Sequence, residues 1–193
     1  MTVRRKILNT GGIYFITFTC YNWFPLFELS AAYDEVYKQF SLLASEGHFI
    51  IGYVIMPNHI HVLVAFNKKE QNINQRIGAI KRFLAYEIIQ RLKNIKNNDM
   101  LKLLADRVKA SEQRKGKLHQ VFEPSFDCKK CYTEKIIIQK LNYIHGNPCK
   151  GKWHLAACPA DYLYSSAGFY SSGEQGWFPV THYRDLFELD LIS

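Results

Sequence analysis

Two apolar segments joined by a Pro-Asn pair constrain the fold of this chain more than any other feature. Residues 48–55 and 60–66 are mostly apolar or β-branched, which is typical of buried strands, and the Pro-Asn pair between them predicts a hairpin turn. Two histidines, His59 and His61, stand at the start of the second strand. Because strand side chains alternate between faces, both point the same way, roughly 7 Å apart along the strand. The turn places them at the end of a sheet, where ligands can reach them.

The histidine pair has two interpretations. Two imidazoles on one face of a strand can hold one metal ion. Alternatively, each histidine is a polar core group that is satisfied by hydrogen bonds, which is a common role of this residue in an apolar strand. A third ligand and a reacting group elsewhere in the chain would favour the metal site. Residues 132–148 contain a candidate for each.

A second informative segment has the pattern of a helix that stops at Pro148. Thr133 fits the N-cap position. The apolar residues at helical spacing are Ile137, Leu141 and Ile144. Tyr143 and Asn147 are four residues apart, so they lie one above the other, and their oxygens could face the same metal. The alternative is that Tyr143 is a core aromatic residue and Asn147 only a C-cap.

Taken together, the two segments resemble the single-tyrosine HUH transposases, most closely the REP-associated tyrosine transposases and their insertion-sequence relatives. HUH denotes histidine, a bulky apolar residue and histidine, which is His59-Ile60-His61 here. The resemblance extends to about residue 170 and rests on the stretches GGIYFITFTCYNWFPLF, MPNHIHVLV, KLNYIHGNPCKG and PADYLYSS. It implies that His59, His61 and Asn147 are metal ligands and that Tyr143 is the nucleophile.

The resemblance also implies a reaction on single-stranded or hairpin DNA. The nucleophile would cut a phosphodiester, leave a 5′-phosphotyrosine and a free 3′-OH, and later allow strand transfer. A phenol is a poor nucleophile at neutral pH, and a divalent ion bound to the phosphate would compensate for this. Two imidazoles and one amide favour Mg²⁺ or Mn²⁺ over a thiolate-type zinc site. Two alternatives stay open, namely a non-cleaving DNA-hairpin-binding protein of the same fold and a metal phosphoesterase that uses activated water.

The charge distribution agrees with a DNA-binding role. The formal net charge is +8, and residues 68–160 carry twenty basic and eight acidic side chains, a net of +12. Such a concentration of positive charge favours phosphate binding. The candidate DNA contacts are Arg76, Lys81, Arg82, Arg91, Lys93 and Lys96, with Arg107, Lys109, Arg114, Lys115 and Lys117 behind them. The alternative is a solvated helix face. Candidate base-stacking aromatics are Trp23, Phe24, Trp153 and Tyr164.

The order of predicted elements indicates an α+β fold. Strands at 13–20, 48–55, 60–66 and 120–126 and helices at 31–45 and 73–95 give the ferredoxin-like order β-α-β-β-α-β, an antiparallel sheet with helices on one face. The tyrosine-bearing helix and a C-terminal tail follow. We therefore expect one domain over residues 1–170, with a basic insertion or loop at about 96–118, and a tail at 171–193.

The remaining features bear on location and specificity. Five cysteines, an odd number, and no apolar signal region after the first residues predict reduced thiols in the cytoplasm, and no apolar run reaches 18 residues. Cys128 and Cys131 form a single CxxC, which lacks the second pair usual in zinc sites. Members of the resembled family often have Trp-Gln where this chain has Phe122-Glu123, and NPVKAG where this chain has NPCKGK. These differences leave open which residues contact DNA. Relatives occur as monomers and dimers, so a homodimer is also open.

Overall fold

The computed structural model describes residues 11–67, 72–151 and 153–188. The strands in these ranges are β1 (Gly12–Thr19), β2 (Phe49–Met56), β3 (His59–Phe66) and β4 (Asp127–Cys131). The helices are α1 (Leu26–Ser30), α2 (Tyr33–Ser45), α3 (Ile73–Asn94), α4 (Asn98–Asp106), α5 (Ala110–Gln113), α6 (Glu134–Gly146), α7 (Ala167–Ser172) and α8 (Tyr183–Glu188). None of the helices in the described ranges has the length and apolar composition needed to span a membrane.

The four strands form one sheet in the order β2-β3-β1-β4, and every neighbouring pair is antiparallel. The two central strands, β1 and β3, pair along their whole length, from Gly12 opposite Phe66 to Thr19 opposite His59. α2 connects β1 to β2, and α3 lies between β3 and β4 along the chain. This order of elements and strands confirms the predicted ferredoxin-like fold.

Helices cover both faces of the sheet. On one face, α2 and α3 pack against strand residues such as Ile60 and Val62, so these two helices share one face as predicted. On the other face, α6 and α8 pack against Leu63 and its neighbours. Because side chains alternate along β3, His59 and His61 belong to the same face as Leu63. The two histidines therefore point toward α6.

Two elements differ in extent from the sequence predictions. The helix predicted at 31–45 is one helix that begins two residues later, at Tyr33, because Ala31 adopts a left-handed conformation (φ 50°) that ends the short helix α1 just before it. The strand predicted at 120–126 is wrong, since only Phe122 forms an isolated bridge there and Pro124 lacks the N–H that a strand ladder needs. The fourth strand instead begins at Asp127.

Residues 96–118 contain α4 and α5, of which α4 buries Leu104 in the core. The C-terminal segment from 171 to 188 runs along the outer edge of β2. Phe178 is buried on the α2 and α3 side, the backbone N–H of Thr181 donates to the carbonyl of Ile50, and Tyr183 packs on the α6 side. Residues 164–166 and Thr181 thus pair with the edge strand β2, whose backbone groups would otherwise be exposed. Residues 1–10 and 189–193 lie outside the described ranges.

Gly52 sets how closely α6 approaches the sheet. A Cβ at this position would lie 2.5 Å from Leu141 Cδ2, so α6 or the leucine side chain would have to move. We expect Gly52→Ala to lower the free energy of unfolding by about 1–3 kcal/mol, the usual effect of overpacking a core. Urea denaturation measures this change.

Gly78→Ala on α3 is the matched control, because a Cβ there meets no atom within 4 Å. Alanine is a better helix former than glycine, so this change should raise the free energy of unfolding by about 0.5–1 kcal/mol. If both substitutions changed the free energy of unfolding by the same amount, the close contact between β2 and α6 would not limit the packing at Gly52.

Candidate active site

The two histidines at the start of β3 converge on one point beneath α6. Their ring centroids are 4.7 Å apart, and both side chains are buried, His59 with 7% and His61 with 5% of its surface exposed. Their convergence follows from the two-residue period of a strand and from the turn that ends just before His59. The prediction that they share a face at the end of the sheet is confirmed.

Each imidazole is held through its Nδ1 atom. Nδ1 of His59 donates to Oδ1 of Asn58 over 2.7 Å, and Nδ1 of His61 lies 2.6 Å from Oγ1 of Thr17, its partner across the β1 and β3 ladder. Nε2 of His61 is buried, and it makes no hydrogen bond within the described part of the chain. Buried polar atoms nearly always have partners, and metal-binding histidines are commonly fixed through their other nitrogen. The pair could therefore contribute nitrogen ligands to one metal ion.

Burial also keeps the two imidazoles neutral. Burial lowers the pKa of His59 to about 4, although a hydrogen bond with the Asn147 side chain acts to raise this pKa. It lowers the pKa of His61 to about 3, and the nearby positive charge of Lys140 contributes in the same direction. At pH 7 both rings are neutral, and the neutral imidazole is the form that binds metals.

Tyr143 lies on α6 directly above this pair. The helix begins where Thr133 Oγ1 accepts a hydrogen bond from the backbone N–H of Ile136, which confirms the predicted N-cap. The Tyr143 ring centroid is 5.1 Å from that of His61, and 51% of the tyrosine surface is exposed. A phenol that is open to solvent and adjacent to the histidines is accessible to a large substrate.

Asn147 occupies the C-cap position of α6, next to the same histidines. Its Nδ2 donates to the backbone carbonyl of Tyr143 over 3.1 Å, and its side chain also hydrogen-bonds His59. The asparagine therefore caps the helix and lies within reach of the histidine pair. The four-residue spacing between Tyr143 and Asn147 brings both to this point.

A cavity of about 320 Å³ opens beside His59 and Asn147. Its lining residues are Trp23, Met56, Asn58, His59, Asn147, Lys150, Gly151 and Trp153. Its volume is at the lower end of the range of ligand pockets, about 300–1,000 Å³. The mixture of aromatic rings, amides and a lysine suits a ligand that has both a flat apolar part and a negative charge.

Comparison with known families decides what kind of protein carries this site. Residues 16–123, more than half of the chain, match the family model described as Transposase IS200 like. The chain belongs to the IS200-like transposase family. The matched range includes both histidines and ends before Tyr143, so the family model does not bear on α6. Membership in this family indicates a transposase-type function on DNA.

The solved structures that this chain resembles differ in how closely they match its fold. One of them, described as a REP-associated tyrosine transposase bound to a REP hairpin, has a TM-score of 0.63 and 18% identity, and the match covers 90% of this chain and 87% of that one. A putative transposase from Deinococcus radiodurans R1 has a TM-score of 0.42 and 15% identity over 81% of this chain and 100% of that one, which is too distant to support an argument. A search of curated proteins found no match.

The six basic residues predicted to contact DNA are not among those that line the cavity beside His59. All six are on α3 or in the turn after it, and α3 packs on the sheet face opposite to α6. Three of them make side-chain hydrogen bonds or ion pairs within the protein. These are Arg76 with Glu46 (2.6 Å), Lys81 with the carbonyl of Glu123 (2.7 Å) and Arg91 with Asp34 (2.7 Å). Arg82, Lys93 and Lys96 are exposed, and a role of all six in DNA contact stays a prediction.

Two lysines that were not predicted from the sequence, Lys140 and Lys150, lie at the site. Nζ of Lys140 is 4.6 Å from the ring centroid of Phe15 and 5.9 Å from that of Tyr143. Lys140 precedes Tyr143 by three residues, so both lie on one side of α6. This spacing could have been recognised in the sequence. Lys150 lines the cavity, three residues after Asn147. These two lysines bring positive charge to the site from the α6 side of the sheet.

The CxxC pair of this transposase lies within β4. Cys128 packs with the core on the α2 and α3 side, whereas Cys131 packs with the core on the α6 side. Residues three apart in a strand point to opposite faces, so the two thiols cannot bind one ion together. Among the residues that the structure describes, no group of three or more His, Cys, Asp and Glu side chains could hold a metal. Within the described ranges, the candidate metal ligands are therefore the two histidines and Asn147.

Proposed function

We propose that this transposase-family protein is a metal-dependent single-stranded DNA endonuclease and strand transferase that uses Tyr143 as its nucleophile. The observation that carries the proposal is the position of Tyr143, exposed on α6 with its ring centroid 5.1 Å from that of His61. An exposed phenol beside a buried pair of neutral imidazoles combines a nucleophile with ligands for an ion that can activate a phosphate.

The ligands for the ion would be His59, His61 and Asn147. Two observations support this assignment: Nε2 of His61 has no hydrogen-bond partner among the described residues, and both rings are held through Nδ1. A neutral set of two imidazoles and an amide suits Mg²⁺ or Mn²⁺, of which Mn²⁺ is better matched to nitrogen ligands. When bound, such an ion polarises a nonbridging oxygen of the scissile phosphate and makes the phosphorus easier to attack.

The phenolic oxygen of Tyr143 attacks that phosphorus. A bond forms between tyrosine and the 5′-phosphate, and the bond from phosphorus to the upstream O3′ breaks. The phenol loses one proton and O3′ gains one, so the step needs no other reactant. Because one phosphodiester replaces another, an incoming 3′-OH can reverse the step and join two strands. The ammonium group of Lys140, beside the Tyr143 ring, adds positive charge where the phosphate must lie.

Hairpin or repeat DNA is the substrate class that we favour. The solved structure with a TM-score of 0.63 holds a REP hairpin, which supports this choice. The net charge of +12 over residues 68–160 supports binding to phosphates in general. An exposed nucleophile also suits an unpaired strand, because the phosphodiester of a single strand can bend into a shallow site.

A covalent-adduct assay tests the proposal. Labelled DNA hairpins with unpaired flanks are incubated with the protein and Mn²⁺ and resolved on a denaturing gel, with EDTA as the control. We expect a protein–DNA adduct and a free 3′-OH product, both dependent on metal. Cleavage without an adduct would indicate activated water, and binding without cleavage over the whole panel would indicate a non-cleaving binding protein. Absence of binding to every hairpin would contradict the DNA substrate.

A further inference from the structure

Trp23 is an exposed aromatic residue whose ring packs against the candidate active site. Its side chain is 58% exposed, and its ring centroid is 5.6 Å from that of His59 in an edge-on arrangement. It lines the 320 Å³ cavity and also a second cavity of about 140 Å³ between the end of β1 and the segment before β4. An isolated surface tryptophan needs no explanation, but one that borders two cavities and contacts a candidate ligand does.

The backbone that carries Trp23 has an uncommon conformation. Asn22 (φ 50°) and Trp23 (φ 57°) are both left-handed, which is rare for residues with a side chain and rarer for bulky ones. Three hydrogen bonds hold the segment. They join Trp23 N–H to the Cys20 carbonyl (3.1 Å), Asn22 N–H to Glu123 Oε1 (2.9 Å) and Asn58 Nδ2 to the Trp23 carbonyl (3.2 Å). Strained backbone conformations persist only where the surrounding structure holds them, and they occur most often at functional sites.

Asn58 ties the tryptophan to the histidine pair. Its Nδ2 donates to the carbonyl of Trp23, and its Oδ1 accepts from Nδ1 of His59. One amide in the hairpin turn therefore fixes both the loop that presents the indole and the imidazole that would bind the ion. A group that stacks on the indole is held at a defined position relative to a phosphate at the histidines.

We propose that Trp23 binds one unpaired nucleobase by stacking, next to the phosphate that an ion at His59 and His61 would bind, and this inference rests on the proposed function. Every base has a flat π-face, and an exposed indole in a positively charged groove is the usual platform for single-stranded DNA. The 320 Å³ cavity that Trp23 lines also contains Lys150, which can contact the phosphate of the stacked nucleotide. Trp23 would thus select an unpaired base at one position beside the cleaved bond.

A double-mutant cycle between protein and DNA tests this inference. The probe is a labelled hairpin that gives a metal-dependent adduct, made as a series with one abasic residue at each unpaired position. Affinities are measured for Trp23→Ala and for the unaltered protein, both with Tyr143→Phe to prevent cleavage. We expect Trp23→Ala to weaken binding of the intact hairpin about 5- to 150-fold. With the protein that keeps Trp23, an abasic residue at one position should cause a similar loss of affinity. Trp23→Ala should cause no further loss on the hairpin that is abasic at that position.

Trp23→Phe should recover most of the affinity, since a phenyl ring also stacks. Trp177→Ala is the control, because Trp177 is 68% exposed in the C-terminal segment along β2. Losses that add at every abasic position, or no loss with Trp23→Ala, would overturn the inference while the adduct assay still supported the proposed function. If no hairpin gives an adduct, the proposed function fails and this inference fails with it.

Discussion

Tyr143→Phe should give no covalent adduct with hairpin DNA. The substitution removes only the oxygen that would attack the phosphate, and the loss of a covalent nucleophile typically lowers a rate by at least about 10,000-fold. The ring contact with His61 is kept, so the metal ligands should stay in place. Because the side chain is 51% exposed, we expect the free energy of unfolding to change by less than about 0.5 kcal/mol. Single-turnover cleavage and DNA binding are measured on the same sample.

Tyr132→Phe is the matched control. Tyr132 is 76% exposed and precedes α6, and it has no ring contact with the histidines among the contacts of the described residues. This variant should cleave at the unaltered rate. Unchanged DNA binding with no cleavage in Tyr143→Phe would separate chemistry from recognition. Cleavage that persists in Tyr143→Phe would show that water, not tyrosine, attacks the phosphate.

His61→Leu should abolish stabilisation of the protein by Mn²⁺. A ligand that binds only the folded state stabilises it by about 2.7 kcal/mol at a concentration of 100 times Kd, which shifts the thermal midpoint. Leucine fills a volume similar to that of histidine at this buried position but has no lone pair. We expect no metal-dependent shift in the variant and a loss of cleavage of about 100- to 1,000-fold or more.

Thermal denaturation with and without Mn²⁺ distinguishes this effect from general destabilisation. His61→Leu also removes the hydrogen-bond partner of Thr17 Oγ1, so it lowers the thermal midpoint without metal, and the Mn²⁺-dependent shift is the quantity that reports on metal binding. His119→Leu, at a half-exposed position after α5, is the control and should keep both the metal shift and the cleavage rate. A normal metal shift in His61→Leu would rule out His61 as a ligand.

Local spacing made several features of the site predictable. The shared face of His59 and His61 follows from the two-residue period of a strand, and the stacking of Tyr143 over Asn147 follows from the helical period. Thr133 as the N-cap and the hairpin turn before His59 are equally local, because each depends on residues within one or two turns of chain. All of these positions agree with the structure.

Contacts between distant segments were not predictable in the same way. Thr17 supports His61 only because β1 pairs with β3 in one register, and the fourth strand begins at Asp127 because that segment, and not 120–126, completes the ladder on β1. The basic residues of α3 looked suitable for DNA contact, yet the helix packs on the face away from the histidines. Charge along a sequence does not show on which side of a sheet a helix will lie.

The sequence alone determined which residue types could do the chemistry and how they are spaced within each element, because backbone geometry repeats every two residues in a strand and every 3.6 in a helix. The tertiary structure decided which of these elements meet. It set Tyr143 above the histidine pair, Trp23 against His59 and Lys140 beside the nucleophile. These placements depend on strand register and on burial of apolar faces, which are properties of the whole chain.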